Sequence, residues 1–156
     1  MLSDFLLRLA SPDDAAAIAA LSRAEIEHGL PWTWREARVR HAIADADTNV
    51  VVAGPPGTLA GFGLMHHADD DAHLLLFAVR PTRRRQGLGS ALLRWLEDTA
   101  RAAGAARIRV EARVDNTAAR SFYSEHGYHE GAIVARMYSG RLDGVRLEKW
   151  LRPGAG

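Results

Sequence analysis

The sequence predicts an α/β fold, more narrowly α+β, in which four helices flank a mixed, twisted sheet of about seven strands. Segments with strand-like and helix-like hydrophobic periodicity alternate in the order β-α-α-β-β-β-α-β-α-β-β. The strand, helix and strand between Leu74 and Val114 have the arrangement of a right-handed crossover between parallel strands. No internal repeat or low-complexity linker interrupts this order, so we expect one domain over residues 1–156.

Composition and charge favour a globular domain with an ordinary core. Of the 156 residues, 47% are hydrophobic and 25% are charged, which is typical of a single domain. The net charge of +1 is too small for the concentrated basic face of a nucleic-acid-binding protein. Cysteine is absent, which excludes disulfides, thiolate metal sites and a cysteine nucleophile.

The N-terminal stretch MLSDFLLRLASPDD does not have the pattern of a secretory signal. Asp4 and Arg8 interrupt its apolar residues, and it lacks a small-residue cleavage site. The chain contains no run of apolar residues as long as the roughly eighteen that a membrane span needs. We therefore expect a cytoplasmic protein that binds neither membranes nor nucleic acids.

The first half of the chain is predicted to contain four strands and two helices. Phe5–Ala10 has the pattern of a first strand. Ser11 as N-cap, followed by Pro12 and two aspartates, predicts the start of a helix over SPDDAAAIAALSRAEIEHG. A second helix is expected over PWTWREARVRHAIAD, and three strands over NVVVAG, TLAGFGLMHH and AHLLLFAV. The last strand is apolar from Leu74 to Val79, which predicts burial on both faces.

The second half is predicted to contain two helices and three strands. A helix with one apolar stripe begins near Leu88 and ends near Gly104. RIRVEARV then alternates apolar with charged residues, which predicts a strand with one buried and one charged face. DNTAARSFYSEHG follows as a short helix, and YHEGAIVARMYSG and VRLEKWL are the closing strands.

Three arginines, Arg83–Arg85, stand directly before the helix that begins near Leu88. A helix N-terminus carries partial positive charge and unpaired N–H groups, so a cationic run is unfavourable there unless an anion binds. Gly87 and Gly89 would let backbone N–H groups approach phosphate oxygens. The stretch therefore has two interpretations, an anion site at the carboxyl ends of the strands or a solvated basic loop.

Two common phosphate-binding motifs fit this stretch poorly. GLGSAL lacks the lysine of a P-loop. A dinucleotide fingerprint would place its first glycine directly after the strand and a small residue three positions after the second glycine. Here seven residues separate Val79 from Gly87, and Leu92 occupies that third position.

Two motifs resemble the GCN5-related N-acetyltransferase (GNAT) family. AVRPTRRRQGLGSALL is similar to its acyl-CoA signature, Arg/Gln-x-x-Gly-x-Gly/Ala, and NTAARSFYSEHGY is similar to its second motif, Asn-x-x-Ala-x-x-x-Tyr-x-x-x-Gly-Phe. The matched positions are Arg84, Arg85, Gln86, Gly87, Leu88 and Gly89 in the first motif and Asn116, Ala119, Tyr123, Gly127 and Tyr128 in the second. VEARVDN further resembles the branch that acetylates the N-terminal alanine of ribosomal proteins.

The resemblance implies a GNAT fold that binds acetyl-CoA without a metal ion. The pyrophosphate would rest on the backbone N–H groups of Arg85 to Ser90. Asn116 and Tyr123 lie on one helix face and would contact the extended pantetheine arm. The arm would lie between two splayed strands and hydrogen-bond to the backbone of Phe77, Ala78 and Val79.

Amide formation needs an amine that has lost its proton, and it benefits from a proton for the departing thiolate. The resemblance assigns the first role to Glu111, through a water, and the second to Tyr123. Two structural interpretations stay open. Tyr123 would pack beside Phe122 as a core aromatic, and Glu111 would be a surface carboxylate between Arg109 and Arg113.

Two other groups of side chains have the composition of a binding site. The first group has the residue types of a metal site and consists of His66, His67, Asp69, Asp70, Asp71 and His73. Such a cluster is more often a polar hairpin turn. The second group lies in EIEHGLPWTW and consists of Glu25, Glu27, Trp32 and Trp34. These residues either hold a cationic amine by charge and cation–π contact or belong to the core.

The sequence thus predicts transfer of an acetyl group from acetyl-CoA to a primary amine. The acceptor is a protein N-terminus, a lysine or a small amine, and the assembly is a monomer or a homodimer. A catalytically silent acyl-CoA-binding module is the second candidate, which the retained Tyr123 and Asn116 disfavour. A nucleotide-binding regulatory domain is the third.

Overall fold

A computed structural model describes residues 6–84 and 86–151 and has the predicted order of elements. Phe5, the predicted start of the first strand, lies outside the described residues. The strands are β1 (Leu7–Leu9), β2 (Thr48–Ala53), β3 (Gly61–Ala68), β4 (Asp71–Val79), β5 (Arg107–Arg113), β6 (His129–Tyr138) and β7 (Leu142–Trp150). The helices are α1 (Ala15–Glu25), α2 (Glu36–Ala44), α3 (Leu88–Ala102) and α4 (Thr117–Glu125).

The seven strands form one mixed sheet in the order β1-β2-β3-β4-β5-β7-β6. β4 and β5 run parallel, and the other neighbouring strands run antiparallel. The predicted crossover is therefore present, since α3 connects the parallel pair. Among the described residues, no helix is long and apolar enough to cross a membrane.

Each face of the sheet has its own hydrophobic cluster. One cluster joins α3 to Ile108, Val110 and Ala112 of β5. The other joins α1 and α2 to β2, β3 and the end of β4. Because alternate residues of a strand point to opposite faces, the charged side chains of β5 lie on the face away from α3, as the alternation predicted.

The second helix begins later than predicted. α2 starts at Glu36, so Trp32 and Trp34 belong to the preceding loop. The carboxylate of Glu27, which is 8% exposed, accepts hydrogen bonds from the N–H groups of Thr33 (2.9 Å) and Trp34 (3.0 Å). These bonds hold the loop in place and satisfy backbone donors without a helix.

A β-bulge at Leu75 changes which side chains of β4 are buried. The β3–β4 register pairs Met65 with Leu74 and Leu64 with Leu76, so Leu75 has no partner on β3. Leu74 belongs to the α3 cluster and Leu76 to the α1–α2 cluster, whereas Leu75 is 39% exposed. The prediction of a strand buried on both faces is therefore wrong at Leu75, because the extra residue turns its side chain out of both clusters.

Candidate active site

The parallel ladder between β4 and β5 stops at the bulge. Its four pairs run from Asp71–Arg107 to Leu74–Val110. In the described part of the chain, Leu75–Val79 has no ladder partner on β5, and Glu111–Arg113 has none on β4. The two strands therefore leave a gap. Its β4 edge contains the three residues expected to receive the pantetheine arm, namely Phe77, Ala78 and Val79.

The loop after β4 presents backbone N–H groups at the start of α3. Gly87 precedes the helix in the left-handed conformation, with φ 81°. The first helical hydrogen bond runs from the Ala91 N–H to the Gly87 carbonyl (3.0 Å). The N–H groups before Ala91 thus have no helical partners and are available to an anion. They include those of Leu88, Gly89 and Ser90, whereas Arg85 lies outside the described residues.

Two side chains of the basic run, those of Arg83 and Arg84, already have partners within the chain. Arg84 donates hydrogen bonds to the Glu25 carboxylate (2.7 Å) and to the Val79 carbonyl (3.1 Å). Arg83 donates to the side-chain oxygen of Gln86 (3.1 Å). Arg84 therefore connects the end of α1 to the end of β4. A phosphate bound at this loop would compete with Glu25 for the Arg84 guanidinium.

Gly89 and Ser90 contact α4, which the sequence did not predict. A Cβ atom at Gly89 would lie 3.2 Å and 3.3 Å from two ring atoms of Phe122. Ser90 Oγ lies 2.8 Å from His126 Nε2, and His126 Nδ1 lies 2.7 Å from the Phe122 carbonyl oxygen. His126 thereby fixes the Ser90 hydroxyl at the start of α3.

Tyr123 lies in an aromatic cluster on the face that carries α3 and α4. Its ring centroid is 6.2 Å from that of Phe77, 5.5 Å from Phe122 and 5.6 Å from Tyr128. Tyr123 is 5% exposed, and its hydroxyl donates to none of the described residues. Burial raises the pKa of Tyr123 above its ordinary value, and the Glu111 carboxylate contributes to the increase. The ring is thus part of the core, while the hydroxyl is a protonated donor.

Asn116 and Arg120 stabilise the start of α4. Asn116 Oδ1 accepts a hydrogen bond from the Ala119 N–H (3.1 Å), so Asn116 is the N-cap of the helix. Arg120 donates to the Val114 carbonyl (2.9 Å) and to the two carboxylate oxygens of Glu130 (2.8 and 2.7 Å). A contact between Asn116 and a cofactor would therefore use its amide nitrogen.

Glu111 pairs with His73 and not with the arginines on its own strand. His73 Nε2 donates a hydrogen bond to Glu111 Oε1 (2.6 Å), and the two side chains are about equally exposed, at 24% and 21%. Arg109 and Arg113 lie against aspartates instead, each at 3.2 Å. Glu111 is therefore paired with β4 and not with the arginines beside it, because Asp71 of β4 holds Arg109 and Asp115, just after β5, holds Arg113.

Tyr138 is a further buried phenol near the charge of Glu111, and sequence reasoning missed it. Burial raises the pKa of Tyr138 to about 12, with Glu111 adding to the increase and Arg113 opposing it. Tyr138 also contributes to the raised pKa of Tyr123. Tyr138 ends β6, so the pairing of β6 with β7 determines its position, and no local sequence pattern indicated it.

The histidines considered as metal ligands contact other groups of the protein. His66 lies 3.0 Å from Thr48 Oγ1, and His67 lies 2.6 Å from Asn49 Oδ1. Within residues 6–84 and 86–151, no three side chains of the metal-ligating types come together. The hairpin is a polar turn in this structure.

Trp32 and Trp34 stack with arginines of the chain itself. The guanidinium groups of Arg23 and Arg35 each lie 4.7 Å from the Trp32 ring centre, and that of Arg38 lies 3.7 Å from the Trp34 ring centre. Both rings also pack against the α1–α2 cluster. The structure therefore favours the core interpretation, since an acceptor amine would have to displace an arginine.

Comparison with protein families agrees with this geometry. The family model described as "Acetyltransferase (GNAT) family" matches residues 15–128. This range includes the gap between β4 and β5, the start of α3 and all of α4. The chain therefore belongs to the GNAT acetyltransferase family, as the two motifs predicted.

Named relatives share the fold and part of the sequence. The chain is 39% identical over 92 residues to the "[Ribosomal protein bS18]-alanine N-acetyltransferase" of Escherichia coli. The matched residues cover 57% of this chain and 62% of the relative, so the chain spans less than two thirds of the relative's length. The crystal structure of the ribosomal-protein-S18-alanine N-acetyltransferase from Escherichia coli matches with a TM-score of 0.77 and 27% identity over 94% of each chain. Ard1 from Thermoplasma volcanium matches with a TM-score of 0.83 and 23% identity, over 95% of this chain and 98% of the other. The predicted GNAT fold is thereby confirmed.

Proposed function

We propose that the protein is an acetyl-CoA-dependent N-acetyltransferase that acts on a primary amine. The observation that carries the proposal is the gap between β4 and β5, which has the hydrogen-bonded pair His73 and Glu111 beside it and Tyr123 on the α3 and α4 face. Membership of the GNAT family and the activity named for the Escherichia coli relative support the same reaction.

The cofactor is proposed to bind across the start of α3 and along the gap. Its pyrophosphate accepts hydrogen bonds from the backbone N–H groups of the loop and of the first helical turn, because these have no partners within the helix. Its pantetheine arm replaces the missing ladder partner of Phe77, Ala78 and Val79. The Asn116 amide nitrogen and the Tyr123 hydroxyl complete the cofactor contacts.

The two proton transfers are proposed to use Glu111 and Tyr123. An acceptor amine with a pKa of about 10 is mostly protonated at neutral pH, so Glu111, held by His73, accepts a proton from it directly or through a water. The amine nitrogen then attacks the thioester carbonyl carbon, and the carbon–sulfur bond breaks. Tyr123 donates to the departing sulfur because burial keeps its phenol protonated. The products are an N-acetylated amine and the free thiol of CoA.

The acceptor belongs to one of three classes, a protein N-terminus, a lysine side chain or a small amine. The name of the Escherichia coli relative favours a protein N-terminus. The proposal also places residues 1–156 in one acetyltransferase domain that works in the cytoplasm. Both a monomer and a homodimer are compatible with a site built within one chain.

Release of CoA thiol from acetyl-CoA, measured with a panel of amines, tests the proposed function. Acetyl transfer requires thiol release that depends on both the protein and the amine. A catalytically silent module would bind acetyl-CoA in calorimetry without releasing thiol. A nucleotide-binding domain would be stabilised more by NAD or ATP than by CoA in a thermal-shift measurement. Either of these results overturns the proposal.

The substitution Gly89→Val is expected to remove most of the preference for CoA over pantetheine. The added side chain blocks phosphate oxygens from the N–H groups of the first turn of α3. It also meets the Phe122 ring, which costs about 1–3 kcal/mol of stability. Calorimetric titrations with CoA and with pantetheine measure the ratio of the two affinities.

Comparing two ligands separates loss of the anion site from general damage. A distorted helix weakens both ligands, whereas loss of the anion site weakens CoA alone. Ala91→Val adds similar bulk later in α3 and serves as the matched control. A wild-type affinity ratio in Gly89→Val would place the pyrophosphate elsewhere.

A further inference from the structure

The face of the sheet that carries Glu111 continues past the gap as a charged surface over β5, β7 and β6. Strand register aligns His73, Arg109, Glu148 and His129 in one row across four strands. Glu111 and Arg146 lie directly opposite each other in the next row. Directly opposed residues in an antiparallel pair point to the same face, with Cβ atoms about 5 Å apart. Arg146 is thus a near neighbour of the proposed base.

An irregularity in β6 leaves space above Arg146. The register of β6 against β7 shifts between Glu130 and Ile133, so Gly131 and Ala132 have no ladder partner in the described chain. Gly131 has no side chain and Ala132 has only a methyl group, and both residues border an open cavity of about 380 Å³, which Glu111 and Arg146 also line. The amine that Glu111 is proposed to deprotonate would therefore lie at this cavity, which Arg146 also lines.

Among the arginines that line this cavity, Arg146 has a charge without a partner in the described part of the chain. Arg107 donates to Asp71 at 2.9 and 3.1 Å, and Arg109 lies 3.2 Å from the same carboxylate. Glu111 is bound by His73. Arg146 is exposed and forms no hydrogen bond or ion pair with any residue in the described ranges. Its guanidinium is therefore free to bind an anion from outside, and planar carboxylates fit its fork of donors.

We propose that Arg146 selects acceptors that carry an anionic group a short distance from the reacting amine. The inference rests on the proposed function, since the amine is placed at Glu111. An acidic side chain on the second residue of a peptide and the carboxylate of a small amino acid both have the required chemistry. The competing view is that Arg146 is a solvated surface cation. In that case the charge of the acceptor has no effect on kcat/KM.

Two sets of matched acceptors distinguish the sources of this charge. The peptide set is Ala-Glu-Ala, Ala-Gln-Ala and Ala-Lys-Ala, each with an amidated C-terminus. The small-molecule set is γ-aminobutyrate and butylamine, which differ by the carboxylate. We expect wild-type kcat/KM to be about tenfold higher for the acidic member of at least one set, mainly through a lower KM. The set that shows the effect identifies a peptide or a small amine as the acceptor.

The charge reversal Arg146→Glu is the deciding variant. It is expected to reverse the preference, so that Ala-Lys-Ala or butylamine becomes the better acceptor. Arg94→Glu makes the same change at an exposed position of α3, on the other face of the sheet, and is expected to keep the wild-type preference. If Arg146→Glu ranks the acceptors by kcat/KM in the same order as the wild type, the inference is overturned.

Failure of the proposed function gives a different result. Thiol release with Ala-Gln-Ala or butylamine but without charge discrimination overturns the role of Arg146 alone. Absence of thiol release with every amine overturns the acetyltransferase proposal. Calorimetric titration of Ala-Glu-Ala into the CoA-bound protein then still tests Arg146. Binding that Arg146→Glu weakens at least fivefold supports the inference, and equal binding in both proteins overturns it.

Discussion

Replacing Tyr123 with phenylalanine is expected to lower turnover by roughly 10²–10⁴ while the affinity for acetyl-CoA stays nearly unchanged. The variant keeps the ring that packs against Phe77 and Phe122 and removes the hydroxyl alone. Because that hydroxyl donates to no described residue, its loss leaves no protein acceptor unpaired. Calorimetry measures binding, and thiol release at saturating substrate measures turnover.

Tyr128→Phe is the matched control, because it removes a second buried tyrosine hydroxyl from the same cluster. The Tyr128 hydroxyl donates to the Glu97 carboxylate (2.9 Å), which Lys149 also approaches (3.2 Å). Its loss is expected to cost about 1–3 kcal/mol of unfolding free energy, with little change in turnover per folded molecule. Normal turnover of Tyr123→Phe under conditions where chemistry limits the rate would remove Tyr123 from the mechanism.

The elements that the sequence predicted correctly are those specified by local patterns. The alternation along β5 predicted its buried and charged faces because both depend on residues two positions apart. α4 lies within the predicted stretch DNTAARSFYSEHG, and its N-cap Asn116 bonds to the residue three positions later. The site residues expected from the family resemblance also lie within continuous motifs, and their roles stay predictions.

The features that the sequence could not predict depend on strand register. His73 and Glu111 are 38 residues apart in the chain, and their pairing requires β4 and β5 to be parallel in one particular register. The bulge at Leu75 ends the ladder just beyond that pair, although nothing in the apolar run from Leu74 to Val79 marks it. Register follows from the packing of whole strands, so single residues do not reveal it.

Contacts with distant elements also changed the interpretation of residues that the sequence had identified. Glycine at position 89 was explained by phosphate access alone, whereas the structure shows that Phe122 also restricts this position. Trp32 and Trp34 were placed in a helix because the apolar spacing there is helical. The buried Glu27 carboxylate instead holds the backbone at Trp34 outside the helix. At Trp34 a tertiary contact overrides a local pattern, and at Gly89 a tertiary contact adds a second constraint.

The substitution Glu111→Gln is expected to lower the rate at neutral pH, with a defect that shrinks as the pH rises. Glutamine keeps the shape and can still accept the hydrogen bond from His73, but it cannot accept a proton. Above the pKa of the acceptor, the free amine forms without a base, so the variant approaches wild type there. The pH profile of kcat/KM measures this rescue. Glu130→Gln, the same change at a carboxylate bound to Arg120, is expected to show no pH-dependent loss.

The pKa of the acceptor supplies an independent check on Glu111. Peptide α-amines have a pKa of about 8 and lysine-like amines one of about 10, so the rescue is expected to occur roughly two pH units lower with a peptide. A defect of constant size at every pH would reduce Glu111 to a structural partner of His73. Combining His73→Asn with Glu111→Gln extends the test. If His73 acts only through Glu111, its replacement lowers the rate no further once Glu111 is replaced. We expect the double variant to be no slower than Glu111→Gln, whereas additive losses would show that the two side chains act separately.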